Sequence, residues 1–372
     1  MLRYGFRHDL RAATTAVLSL SILLAACTPA APSAATAAPQ AGTGSAAAKP
    51  GERIIVGLAM KTQVQPRWQF EVNIMQEKAK DMGVDLLVQW ANDDISKQAS
   101  QVENLLSQGA KVLIIVPVDD KTAGSFVEKA HAAKVPVISY DIGIQNADVD
   151  YFTTRDNHKV GKLQAEGALQ AAPTGNYVLV KGDQANNVAR ELVESWDVVL
   201  KPQIDSGKIK VVSDQWNKDW LPDGALKQAE NALTANNNDV KAFVTANDGM
   251  ASGVAQAIRA QNLAGKTYLS GLDVDKANAQ LIVEGTQTLS VWTKIDEMAV
   301  AALQAAVALA KGEKPQADTT TNNGKANVPT KLIDVVAVNK ENMCEFITKI
   351  SPKGWVSADE VYKNTAAPAN CK

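Results

Sequence analysis

The chain is predicted to be α/β, built from two Rossmann-like lobes with parallel doubly wound sheets. Three observations lead there. Short β-branched runs alternate with amphipathic stretches along the 372 residues. Each run is continuously apolar instead of alternating, as in strands buried on both faces. The rhythm restarts once, after a helix beginning near Val160, so two sheets of similar order follow one another.

In the first series IIVGLAM is followed by a helix reaching Asp81, VDLLVQW by a helix over 96–108, and VLIIVPV by a helix over 123–133. VPVISYD and VDYFTT complete it. The second series is NYVLVKGD, IKVVSDQW, KAFVTAND, TYLSGLD and TLSVWTK, with helices over 224–235 and 249–261 among them. A helix between each pair of strands implies right-handed crossovers. A helix over 295–311 and the strand-like KLIDVVAV come after both series, so chain crosses back between the lobes to complete a sheet. The expected division is a first lobe over 53–157 completed by about 294–328, and a second over 158–293 completed by about 329–372, joined by three crossovers.

Ahead of the first strand lies a targeting segment. Arg3, Arg7 and Arg11 precede a short Ala/Leu-rich run, and Leu24-Ala25-Ala26-Cys27 closes it, the arrangement of a bacterial lipoprotein signal over 1–26. Cleavage leaves Cys27 as a lipidated N-terminus. An ordinary signal peptide with an incidental cysteine is the alternative, and both predict export. Residues 27–52 are Ala-, Pro-, Thr- and Ser-rich without periodicity, a flexible tether that holds a folded domain near a membrane. No later apolar run is long enough to span one.

The length remaining after the tether suits two domains, and 46% hydrophobic residues is ample for two cores. The formal charge is -2, and loss of Arg3, Arg7, Arg11 and Asp9 with the signal takes it to about -4. That balance offers no patch for nucleic acid. Of three cysteines, Cys27 is assigned to lipid, which leaves Cys344 and Cys371. A bridge between them and a pair of buried or mobile thiols both fit.

Open parallel sheets bind ligands beyond the carboxyl ends of their strands. Arg67 and Trp68 follow the first strand, and Asp141, Asp183, Asn247, Asp248 and Asp273 close later ones. Trp216 and Trp220 follow IKVVSDQ, and Trp292 with Thr293 ends TLSVWT. Acids, amides and guanidinium groups facing one cleft match a polyhydroxylated ligand, since each hydroxyl both donates and accepts. Indole faces cover its C–H surfaces. Any single Asp or Asn here could instead be a helix N-cap. Trp68 and Trp220 have polar sequence neighbours and are read as stacking on ligand; Trp90, Trp196 and Trp355 are read as packing.

Enzyme signals are weak. His8 lies in the signal, and His131 and His158 are isolated. No phosphate-binding loop, nucleophile elbow or metal-spaced Cys/His cluster occurs, so neither cofactor nor metal is expected.

At these residues the chain resembles the periplasmic sugar-binding proteins of ABC transporters, most of all the D-xylose-binding branch, from about Ile54 to Asn342. The resemblance rests on RWQ at Arg67, VLKPQIDSGKIKVVSDQW ending at Trp216, WLP at Trp220, ENALTANNN from Glu230, TAND at Asn247, SGLDVD at Asp273, GTQT at Gly285 and ADTTTNNG from Ala317. It implies the type I periplasmic binding protein fold, closing over one monosaccharide and delivering it to an ABC permease as a monomer. It also implies that Arg67 bonds the sugar, that Trp68 and Trp220 stack on it from opposite lobes, and that Asp141, Asn247 and Asp273 bind hydroxyls. Arg190 stands where that family has a basic residue.

Departures from the family pattern bear on which sugar is taken. Ile142 follows Asp141 where an arginine is found, and Thr293 replaces a lysine, with Lys294 one place later. Asn186 and Val188 replace more polar residues, and Arg155 stands at a hinge position that is usually aromatic. Thr293 would leave room for a hexose CH₂OH, with Arg155 and Arg190 compensating for lost donors, so glucose and xylose are both expected ligands. A sugar-sensing receptor of the same fold is the alternative role. A repressor of this fold would need a helix-turn-helix where the signal and tether stand.

Overall fold

A computed structural model describes residues 53–371. The expected signal, Cys27 and tether lie outside them. The apolar runs form the strands of a first lobe: β1 (Ile54–Met60), β2 (Val84–Trp90), β3 (Val112–Ile115), β4 (Val137–Tyr140) and β5 (Tyr151–Arg155). They pair in parallel in the order β5-β4-β3-β1-β2. Between them run α1 (Pro66–Asp81), α2 (Ile95–Ser107) and α3 (Gly124–Ala132). Local chemistry sets these boundaries. Pro66 opens α1, where a missing N–H costs nothing, and Asp94 caps α2 by accepting from Lys97 N at 2.9 Å.

The second lobe begins with α4 (Asn157–Ala171), capped by Asp156. It continues with β6 (Gly175–Lys181), α5 (Asn187–Asp205), β7 (Ile209–Trp216), α6 (Pro222–Ala235), β8 (Ala242–Thr245), α7 (Asp248–Ala260), β9 (Tyr268–Leu269), α8 (Lys276–Val283) and β10 (Leu289–Thr293). The parallel order is β7-β6-β8-β9, and a Leu272–Val291 bridge attaches β10. Each sheet reverses direction of growth beside its first strand, β1/β3 in one lobe and β6/β8 in the other. Those are the points at which doubly wound sheets bind ligands.

Helix α9 (Ile295–Ala310) returns to the first lobe and packs on α1. The hairpin β11 (Thr319–Asn322) and β12 (Asn327–Ile333) follows, with β12 parallel to β5. KLIDVVAV is therefore two strands: β12 ends at Ile333 and β13 (Val335–Asn339) pairs antiparallel with β10 in the second lobe. The final exchange between lobes falls at Asp334, not at the expected 328–329. Neither sheet is wholly parallel, since β11 and β13 run antiparallel at their edges. Register brings the three crossings together, because Ile333 pairs with Arg155 and Thr293 with Val335.

Beyond β13, short helical turns carry Phe346, Trp355 and Val356 onto Trp292 and α8. Cys344 and Cys371 are bonded, with Cα atoms 4.9 Å apart. No helix among the described residues is long and apolar enough to cross a membrane.

Candidate functional site

A narrow cavity lies between the lobes at the carboxyl ends of the strands. Lys61, Gln65, Arg67, Trp68, Asp141, Ile142 and Arg155 line it from the first lobe. Asn186, Val188, Trp220, Asn247, Leu272 and Asp273 line it from the second. Larger depressions elsewhere on the surface are open and bring no comparable set of buried charges together.

The first turn of α1 points Arg67 inward. Its Nε donates to Glu71 Oε1 at 2.6 Å, its Nη2 to Asp141 Oδ2 at 2.7 Å, and its Nη1 reaches Asp273 Oδ1 of the other lobe at 3.5 Å. Arg155, at the end of β5, donates Nη1 to the same Asp141 oxygen, while its buried Nε has no protein partner. Burial raises the Asp141 carboxyl, but Arg155 and Arg67 outweigh it and leave the group below its usual range. Burial pushes Asp273 up to about 6 against the pull of Arg67 and Arg155. Behind them, burial lifts Glu71 to about 7, and the Tyr140 hydroxyl donates to its other oxygen.

Both tryptophans are held by their indole N–H. Trp68 donates to Gln65 Oε1 at 2.9 Å and stacks beneath the Arg67 guanidinium at 4.3 Å. Trp220 donates to Asn186 Oδ1 at 2.8 Å. Its ring occupies the space a Cβ on Gly182 would need, so residue 182 can be no larger. Trp220, Asp141 and Asp273 all have positive φ, at 59°, 63° and 109°. Non-glycine residues in that region cost on the order of 1–3 kcal/mol each, and such strain concentrates at binding sites. Asn247 Oδ1 caps α7 by accepting from Met250 N at 3.1 Å, and the residue also lines the cavity.

Seven of the residues named as candidates do not line the cavity: Asp183, Trp216, Asp248 and Trp292 at strand ends, and Arg190, Thr293 and Lys294. Arg190 is turned to Asp120 Oδ2 at 2.5 Å and Gln184 O at 2.7 Å. Thr293 is fully buried beside β13 with an unpartnered hydroxyl. Lys294 pairs with Glu297 at 3.1 Å. Sequence reasoning missed Lys61, Gln65 and Leu272. Lys61 directly follows β1, so the strand-end rule itself could have found it.

The cations Lys61, Arg67 and Arg155 offset Asp141, Asp273 and Asp93, the last 3.4 Å from Lys61. A balanced cavity of donors and acceptors between indole rings suits an uncharged, hydroxyl-rich ligand. It holds no nucleophile paired with a base: His131 bonds Asp150 and His158 bonds Ser195, both away from the cavity. Among the described residues no His, Cys, Asp and Glu group has the arrangement of a metal site.

Comparison with known proteins gives the lineage. A periplasmic binding protein domain matches residues 56–314. The chain is 42% identical over 298 residues to a D-xylose-binding periplasmic protein of Escherichia coli, covering 80% of this chain and 90% of that one. A protein of the same name from Haemophilus influenzae is 41% identical over 307 residues, covering 82% and 92%. Among solved structures, a carbohydrate transporter solute-binding protein of Chloroflexus aurantiacus in complex with D-glucose superposes with a TM-score of 0.77 at 30% identity, covering 83% of this chain and 98% of that one. Two doubly wound lobes, three crossings, a polar cavity between them and these matches make the chain a member of the periplasmic binding protein family, a binding protein and not an enzyme.

Proposed function

We propose that this protein captures one aldopyranose, xylose or glucose, between its lobes and hands it unchanged to an ABC permease. The observation that carries the reading is the pair Trp68 and Trp220, set in opposite lobes around the buried Arg67, Arg155, Asp141 and Asp273. Stacking takes the ring faces, and the charged groups exchange hydrogen bonds with its hydroxyls. The names of the relatives, D-xylose-binding in one case and a D-glucose complex in another, support both sugars. Of the two arginines expected to compensate for lost donors, Arg155 reaches the cavity and Arg190 does not. The Nε of Arg155, buried without a partner, is a donor available to a hydroxyl.

Calorimetry with xylose, glucose, galactose, arabinose and ribose tests the reading. Tight 1:1 binding of xylose or glucose, with the sugar recovered intact, is expected. Absence of binding to every neutral monosaccharide would overturn it. We further propose that Cys27 is lipidated and residues 27–52 tether a monomer to the membrane, where the permease is met. Cys27→Ser should then release the protein from membranes with its sugar affinity unchanged, and retention after a salt wash would require another anchor. Loss of sugar uptake on deleting a neighbouring permease gene would favour transport over sensing.

A further inference from the structure

The lobes meet along a second polar seam outside the cavity. Asp120, in the loop after β3, donates its backbone N to Ala185 O at 3.1 Å across the cleft. Its side chain is fully buried and receives Arg190 Nη2 of α5 at 2.5 Å, while Arg190 Nη1 anchors on Gln184 O at 2.7 Å within its own lobe. Burial raises the Asp120 carboxyl, opposed by Arg190 and by the backbone amide of Asn187, the first residue of α5.

The N-cap of that helix is unusual. Asn186 makes no cap bond, because its side chain accepts from Trp220 Nε1 and donates to Val118 O of the first lobe at 3.2 Å. The Arg190 pair and the bond to Ala185 O hold this acid of the opposite lobe beside the amino end of the 19-residue α5, where negative charge is favoured, with its Oδ1 buried and unpartnered. Asn187 adds to the seam, accepting from Gly143 N at 2.8 Å.

We infer that Asp120, Arg190 and the amino end of α5 form a clamp that holds the closed lobes together and sets how slowly sugar leaves, without touching the sugar. This rests on the sugar-binding reading. Opening the lobes separates Asp120 from both Arg190 and α5 and returns the carboxylate to water. The clamp thus exists only in the closed state and weights that state alone. Arg190 is a positioning residue here, not a ligand residue. Asn186 joins the two sites, since one side chain holds both the stacking Trp220 and the opposite lobe.

The test is Arg190→Gln, Asp120→Asn and the double variant, with sugar dissociation followed by tryptophan fluorescence. Each single change should raise Kd for xylose and glucose by the same factor, about tenfold, through faster dissociation with little change in association. The double variant should be no worse than Arg190→Gln, because the two groups act as one unit. Unchanged dissociation, additive losses, or an altered xylose-to-glucose ratio would each overturn the clamp, the last by placing Arg190 on the sugar. If Asp120→Asn does not fold, Arg190→Lys, at a partly exposed position, should give an intermediate dissociation rate, and a wild-type rate would overturn the clamp. Labels at Lys97→Cys and Lys227→Cys, one in each lobe, separate the two readings. Should the wild type bind neither sugar, the sugar reading fails, and a label distance no longer in Arg190→Gln than in wild type overturns the clamp as well.

Discussion

Replacing Arg67 by Met removes the cation that three buried acids share. Arg67 is 3% exposed, and Glu71, at 2.6 Å, and Asp141, at 2.7 Å, belong to its own lobe, so those contacts persist when the lobes open. Only the 3.5 Å approach to Asp273 depends on closure. Methionine fills much of the same volume but leaves Glu71 without a counter-cation and Asp141 with Arg155 alone. Breaking a buried pair from one side costs about 3–5 kcal/mol. With an unfolding entropy of about 2.1 cal/mol/K per residue, the described domain should lose roughly 4–7 °C in Tm.

The loss should also grow with pH. Burial already lifts Glu71 to about 7, with Arg67 holding it down. Without Arg67 the carboxyl rises further and the folded state binds more protons than the unfolded one. Stability supplied by that bound proton is complete below the unfolded value and is lost as pH rises through the folded value. Arg67→Met should therefore be closest to wild type near pH 5 and furthest from it near pH 8, and sugar binding should be abolished at both. Denaturant unfolding at the two pH values measures the first claim and calorimetry the second. A variant within about 1 kcal/mol of wild type at pH 8 would mean that Arg67 is no electrostatic keystone of the first lobe.

Three further outcomes follow from the same geometry. Trp220→Ala should weaken xylose and glucose by like factors, about tenfold or more, since an indole face reads ring C–H groups and its loss also leaves Asn186 Oδ1 unpaired; a selective loss of one sugar in calorimetry would refute this. Cys344→Ser with Cys371→Ser opens a loop whose ends are 27 residues apart, which by chain entropy costs about 3.5 kcal/mol. Early amide exchange over 343–371 with sugar affinity preserved is the expected result, and unchanged protection would refute it. Thr293→Lys should lower Tm and affect both sugars equally, because the position is buried beside β13 and away from the cavity. A loss of glucose alone would restore Thr293 as the residue that admits a hexose.

What the sequence reveals and conceals here follows from periodicity. Buried parallel strands are continuous apolar runs, so β1 to β10 are legible, and strand ends name the cavity because the fold class places ligands there. Direction within an element is harder to read. Val188 and Arg190 are two residues apart on α5 and so lie on nearly opposite faces; Val188 lines the cavity and Arg190 turns to Asp120. On β10, Thr293 shares the face of Val291, which is buried in the core. Resemblance by position could place both residues near the site but could not turn them into it.

Partners distant in sequence are invisible to any local pattern. Glu71 stands four residues after Arg67, so their pairing follows from helical spacing. Nothing local announces that Tyr140 donates to Glu71, that Asp120 meets α5, or that Asp334 breaks one apolar run into strands of different lobes. The same distance explains why Arg155 takes on a role the sequence left open. It is contributed by β5 at the first crossing, where register against Ile333 fixes its backbone and Asp141 fixes its guanidinium. A cation held that way cannot follow a moving lobe as a flexible lysine on β10 could. This one donor is thus set by the hinge, while Arg67 and Lys61 are set by α1 and the end of β1, and closure brings the second lobe to all three.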